Sequence, residues 1–227
     1  MNMDFSVSQA TVRAATADGS DLPYMQASFM RAALLLALAA GLLTPSHAAT
    51  VAGVDYPPQV TVAGRPLVLN GAGIRYRFVV QVYTAGLYLP APATTAEQAL
   101  AMPGPKRLHI QMLRDIDGNT LGKLFTRGME DNSTRGEFAK AIGGTLRLAE
   151  MFAAKKRLAA GEHFSVEWLP GRGTLVYVNG QPQGEPIQAP EFFAALMRIW
   201  LGPQPADLQL KDTLLGRAAD TNAGQVN

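Results

Sequence analysis

From Leu67 to Leu89 the chain reads Leu-Val-Leu-Asn-Gly-Ala-Gly-Ile-Arg-Tyr-Arg-Phe-Val-Val-Gln-Val-Tyr-Thr-Ala-Gly-Leu-Tyr-Leu. β-Branched and aromatic residues dominate, and they suit a pleated sheet surface better than a helix. The run predicts a strand, a tight turn at Gly71-Ala72-Gly73, then one long strand or a closely paired hairpin. With side chains alternating, Arg75 and Arg77 share a face with Val79, Gln81 and Tyr83. Ile74, Tyr76, Phe78, Val80 and Val82 share the other, which is apolar enough to be core. The first face then sets an arginine just after a turn, among residues suited to wall a cleft. Charged side chains are seldom fully buried, so solvated strand arginines are the plainer alternative.

Gly71-Ala72-Gly73 opens like a dinucleotide fingerprint, but Tyr76 stands where the third glycine belongs. A phosphate cradle needs backbone amides at the start of a helix, and the residues after Gly73 are strand-like. Glycines that admit positive φ in a turn account for the pattern better.

The rest of the chain bounds the chemistry. Hydrophobic residues are 48% of 227, enough for one domain with a sizeable core. There is no cysteine, which removes disulfides, thiolate catalysis and cysteine-metal sites. A net charge of +2, dispersed along the chain, gives no footprint for nucleic acid. Histidine occurs only at positions 47, 109 and 163. A zinc site needs three or four ligands, so no metal or cofactor is expected and a catalytic triad has little to build on.

Met30-Arg31 leads into the apolar run Ala32 to Leu43 and then Ser46-His47-Ala48. A positive start, an apolar stretch too short to span a bilayer and small residues before the break make a secretory signal peptide. The expected layout is a non-native or disordered extension over 1–24, a signal peptide over 25–48, one domain over 49–216 and a disordered tail over 217–227. The mature chain is expected in the periplasm, with no transmembrane segment. A buried N-terminal helix is the alternative reading of the apolar run.

Within the domain, Val60–Val62 and Pro66–Leu69 flank a turn at Ala63-Gly64. Thr95 caps a short helix to Leu100, and Arg107–Leu113 alternates as a half-buried strand with His109 on its polar side. Asp115-Ile116-Asp117-Gly118-Asn119 lacks the ligands of a calcium loop and reads as a turn capping a helix from about Asn119 to Glu130. A second helix over Ser133–Ile142 is expected to end at Gly143-Gly144, and a third to run from Thr145 to Arg157, where Lys155-Lys156-Arg157 suits the macrodipole. His163–Leu169 and Thr174–Val178 form a hairpin, and Asn179-Gly180 marks another tight turn. Pro190 starts a helix to Leu201 with Phe193, Leu196, Met197 and Trp200 in one stripe, suited to core or to a cleft wall. Ala206–Leu215 forms a last helix capped by Gly216.

Asn70-Gly71-Ala72-Gly73-Ile74-Arg75, followed by Val82-Tyr83-Thr84-Ala85-Gly86-Leu87-Tyr88-Leu89, resembles the core signature of the chalcone isomerase-like family. The similarity extends from about Tyr56 to Gly216, and the Pro190–Gly202 and Leu210–Gly216 blocks are similar to its bacterial, exported branch. The resemblance implies an α+β fold, an open-faced β-sandwich with a large antiparallel sheet, helices packed on one face and a ligand cleft between them. Plant members that close a chalcone ring use an arginine after the glycines, a threonine in the following strand pair, a tyrosine and an asparagine on a neighbouring helix, and a late threonine or serine. Arg75 matches the arginine. The threonine falls on Tyr83 or Thr84, the tyrosine on Leu121 or Phe125, the asparagine on Asn132 if the helix is slid, and the last position near Gln183. Cyclisation needs positioned donors for an oxyanion, and most are absent.

The family also holds non-catalytic members in which the arginine and a tyrosine grip a fatty-acid carboxylate in an apolar cleft. That role asks for a forked cation, a hydroxyl and an apolar wall. The resemblance therefore implies a binding module for a small hydrophobic or lipid carboxylate, with Arg75, Tyr83, Thr84, Tyr88, Phe125 and Asn132 as ligand-binding candidates and no catalytic residues. An isomerase or lyase with a divergent residue set is the first alternative, and an interaction module for an envelope protein the second.

Overall fold

A computed structural model of the chain describes residues 48–217. The expected 1–24 extension, the expected signal peptide apart from its last residue Ala48, and the expected tail beyond Arg217 lie outside the described residues. The strands are β1 (Ala49–Val51), β2 (Val54–Tyr56), β3 (Gln59–Val62), β4 (Arg65–Arg77), β5 (Val80–Leu89), β6 (Lys106–Met112), β7 (Ile116–Asp117), β8 (Arg157–Leu158), β9 (His163–Leu169), β10 (Gly173–Val178) and β11 (Gln181–Pro182). The helices are α1 (Ala96–Ala101), α2 (Gly118–Asp131), α3 (Arg135–Lys155), α4 (Pro190–Leu201) and α5 (Leu208–Leu214). A seven-stranded sheet runs β11-β10-β9-β6-β5-β4-β3, antiparallel at every pairing. Two-stranded pairs, β1 with β2 and β7 with β8, complete the strands.

The helix starts follow local chemistry. Thr95 and Thr134 each close a reciprocal capping box, with Gln98 and Glu137, and Asp117 accepts the Thr120 amide at the head of α2. β6 alternates buried and half-buried along its whole length, as its sequence requires.

The main core lies between the sheet and the helices. Leu87, Leu108, Ile110, Phe164 and Val166 from the sheet meet Phe125, Leu148, Phe152, Phe192, Leu196 and Trp200 from the helices. Each such side chain contributes roughly 1.5–3 kcal/mol through burial. The opposite face carries a smaller cluster of Val54, Tyr56, Val62, Leu67, Tyr88, Leu169 and Leu175. There Tyr56 lies over Gly86, where a Cβ would come within 2.3 Å of its ring.

Three expectations need correction. Gly71-Ala72-Gly73 makes no turn: both glycines lie inside β4, and neither has positive φ. The turn comes later, at Phe78-Val79. The glycines answer a close approach instead, because α5 crosses over them. A Cβ on Gly71 would lie 1.9 Å from the Thr213 carbonyl oxygen, and one on Gly73 would lie 3.1 Å from the Thr213 side chain.

The second correction concerns Gly143-Gly144, which break nothing. α3 runs unbroken from Arg135 to Lys155. Gly144 lets α4 approach, since a Cβ there would come within 2.5 Å of the Phe192 ring. Packing overrides the weak helix propensity of glycine.

The third concerns the faces of the central hairpin. Its core face carries Tyr83, paired in register with Arg75, and not Phe78, which is 92% exposed. Two β-bulges, at Asn70 and at Val82, shift the alternation.

Candidate functional site

The site grows from the turn end of the β4–β5 hairpin, and its strands are braced from mid-strand outward. Asn70, the extra residue at the first bulge, binds in two directions. Its amide donates to the carbonyls of Ala93 (2.9 Å) and Leu214 (2.7 Å), and its oxygen accepts the Ala93 amide (2.7 Å). These bonds tie β4 to the loop before α1 and to the end of α5. Further along, the Tyr76 amide donates to Asp207 (2.8 Å), which also accepts the Leu210 amide (3.0 Å) at the head of α5. One aspartate thus caps a helix and pins the strand just past Arg75.

Arg75 is half-buried and donates to the carbonyl of Tyr76. It forms no ion pair among the described residues. Across the ladder, Tyr83 is 8% exposed, and its hydroxyl accepts from Trp200 Nε1 at 2.8 Å. Burial pushes the Tyr83 phenol up to about 12, against the opposing effects of the Trp200 hydrogen bond and the Arg75 charge, while Asp207 adds to the rise. Tyr83 is therefore a neutral phenol at ordinary pH. With the indole proton accepted at its oxygen, its own proton remains to be donated.

Around this pair lies a pocket of about 770 Å³, inside the roughly 300–1,000 Å³ range of small-molecule sites. Val80 and Val82 line it from β5, Leu121, Leu124 and Phe125 from α2, Ile199 from α4, and Pro205 and Ala206 from the loop between α4 and α5. The second bulge lets Val82 and Tyr83, neighbours in sequence, both reach the lining. Arg77, Arg114 and Arg127 join Arg75, with Asp115 and Asp131. The chemistry on offer is a cation without a counter-ion and a phenol donor, set among apolar walls. A second depression, of about 710 Å³, lies between α2 and α3, with Lys123, Glu130 and Glu150 in its lining. It is more open to solvent and has no comparable apolar wall.

Of the six candidates from the sequence, Arg75, Tyr83 and Phe125 come together in the pocket. The other three lie outside its lining. Thr84 is fully buried and accepts from the Tyr56 hydroxyl at 2.8 Å, on the side of the sheet facing β2. Tyr88 belongs to the smaller cluster on that same side. Asn132 follows α2 and holds the loop after α4, donating to Gly128 (2.9 Å) and Gln204 (2.8 Å) and accepting from the Gln204 amide (2.8 Å). Leu121, weighed at the tyrosine position, lines the pocket, whereas Gln183 does not.

The sequence reading missed Trp200 as the partner of Tyr83, Asp207 as the anchor of β4, and Arg114 on the rim. The start of α5 carried a signal for Asp207 as an N-cap; nothing local marked Arg114. Among the described residues, no group of three or more His, Cys, Asp or Glu is placed to hold a metal ion.

A family model described as chalcone isomerase-like matches residues 48–216. No curated protein matches the chain by sequence. Among solved structures, a fatty-acid binding protein of Arabidopsis thaliana matches with a TM-score of 0.61 at 12% identity, over 74% of this chain and 96% of that one. At that identity, the likeness is one of fold.

Proposed function

This chain belongs to the chalcone isomerase-like family, and from that premise we propose that it binds a small hydrophobic carboxylate, such as a fatty acid, without transforming it. The observation that carries this reading is Arg75 without an ion-pair partner among the described residues, beside the neutral phenol of Tyr83 in an apolar-walled pocket. A guanidinium offers a carboxylate two parallel donors, and a phenol adds a third. The apolar part of the lining, from Val80 and Val82 to Leu121, Leu124, Phe125 and Ile199, suits an acyl chain. The Arabidopsis protein of similar fold is a fatty-acid binding protein, which supports the ligand class. The two residues weighed at the isomerase's tyrosine position, Leu121 and Phe125, have no proton to donate to an oxyanion.

The test is a titration of a fluorescent fatty acid into the wild type, Arg75→Ala, Arg75→Lys and Arg77→Ala. Arg75→Ala should weaken binding by roughly 2–4 kcal/mol, the range for removing one partner of a desolvated charge pair. Arg75→Lys, which keeps the charge and loses the fork, should fall between. Arg77→Ala should matter least. Equal affinity for the wild type and a folded Arg75→Ala would sink the carboxylate site. Turnover of a chalcone that Arg75→Ala abolishes would restore the isomerase reading.

We also propose that the protein is exported to the periplasm as a member of the bacterial exported branch. The support is the basic, apolar and small-residue succession from Met30 to Ala48. N-terminal sequencing of the cell-fractionated protein should find Ala49 first; a chain that retains Leu34–Leu43 refutes cleavage.

A further inference from the structure

The β4–β5 hairpin ends in Phe78 and Val79, which are 92% and 91% exposed. Two-residue hairpin turns favour glycine or asparagine where φ is positive. Here Phe78 takes that place with φ 56°. The tip thus keeps an aromatic residue in a costly backbone conformation and gives its ring almost no packing. Leu124 of α2, 52% exposed, shares the pocket lining with Phe78.

The charge around this tip is one-sided. Arg77 and Arg114 lie on the same rim and form no ion pair among the described residues. The rim's two acids are already paired, Asp115 with Arg157 at 3.0 Å and Asp131 with Arg127 of the same lining at 3.5 Å.

We propose that the Phe78-Val79 tip, with Arg77 and Arg114, docks on an anionic lipid surface. The apolar knuckle enters the boundary between headgroups and acyl chains while the arginines meet lipid phosphates. A two-residue tip is too small to anchor a stable protein interface, which needs about 800 Å² from each partner. It suffices for a bilayer, where each arginine adds attraction independently of shape. Docking at this rim brings the pocket to the lipid surface. The tip and its charges would act in this way whatever fills the pocket.

The chain has no cysteine, so Val79→Cys accepts a single environment-sensitive fluorophore in the full chain. The control is Arg172→Cys, in the β9–β10 turn at the other end of the sheet by register. Each is mixed with phosphatidylcholine vesicles, with and without phosphatidylglycerol. The label at 79 should shift to the blue only with phosphatidylglycerol, and high salt should reverse the shift. The label at 172 should not respond. Adding Arg77→Glu and Arg114→Glu, with folding checked by circular dichroism, should raise the lipid needed for half the effect by roughly 25-fold or more, about fivefold for each lost arginine. The proposal is overturned if position 79 shows no shift, or if position 172 shifts equally, which would mean adsorption through another part of the chain. It is also overturned by a shift that grows with protein concentration without vesicles, the mark of a tip that pairs with a second copy.

Discussion

Tyr83 serves two neighbours of opposite kind. Its oxygen accepts the Trp200 indole proton at 2.8 Å, and its own proton is free for an acceptor in the pocket. Tyr83→Phe separates the two roles. Trp200, 1% exposed, would keep a buried donor without a partner, so stability should fall by about 1–3 kcal/mol in urea unfolding. Fatty-acid binding should weaken by a further 1.5–3 kcal/mol or so, the worth of a hydrogen bond to a charged group. Trp200→Phe, by contrast, should destabilise the fold while leaving most of the affinity. Equal binding losses for the two variants would place the phenol in the fold alone. Alternation along the sequence already set Tyr83 on the face of Arg75, and the register keeps it there. The turn and the bulge at Val82 instead bring Val80, and not Gln81, opposite Arg77, which a parity count cannot see.

At the scale of the element, α3 offers a paired test in adjacent residues. Gly143 is exposed, and a Cβ there would meet nothing within 4 Å. Gly144 is buried, with the Phe192 ring 2.5 Å from an added Cβ and Ile187 at 2.8 Å. Gly143→Ala should stabilise by about 0.5–1 kcal/mol, because alanine loses less backbone freedom in a helix. Gly144→Ala should cost about 1–3 kcal/mol through overpacking against α4. Thermal unfolding of the two variants decides between them; a gain from both would mean that α3 and α4 do not pack closely. The cap of α1 at Thr95 and the capping turn before α2 were readable because an N-cap is settled within four residues. The unbroken run of α3 was not, because the contact that favours Gly144 comes from Phe192, far along the chain.

For the molecule as a whole, the acid side of the stability curve has an identifiable source. His109 packs between Tyr56 (ring centroids 6.0 Å apart) and His163 (5.2 Å), joining β6 to β2 and β9. Burial, then the charges of His163 and Arg107, bring its imidazolium down from 6.5 to about 4. The unfolded chain therefore binds a proton that the folded chain refuses between those two values. Stability is full above pH 6.5 and falls as pH drops toward 4, by about 1–3 kcal/mol. Below that window Glu162 takes over. Its carboxylate, held by the Ala159 amide, Lys155 and Asn179, titrates at about 2 rather than 4.5, so its contribution is lost as pH falls through that range. His109→Gln should flatten the urea midpoint between pH 7 and 4 and leave the lower limb; an unchanged slope would assign the upper limb to other groups.

The amino-acid sequence by itself determined the sheet-forming run from Leu67 to Leu89, most helix starts, the two later hairpins and the likeness to the chalcone isomerase-like family. Each of these is encoded in side-chain type and short spacing. It also marked Arg75, Tyr83 and Phe125, which the fold gathers into one pocket. Only the tertiary structure decided that Gly71 and Gly73 admit α5, that Gly144 admits α4, and that the face of Tyr83, not that of Thr84 and Tyr88, meets the helices while Asn132 braces a loop. Those outcomes rest on partners distant in sequence, such as Trp200 for Tyr83 and Leu214 for Asn70, and on two bulges that reset which residues share a face. A local pattern states what each residue can do, but which neighbour it meets depends on how distant segments pack.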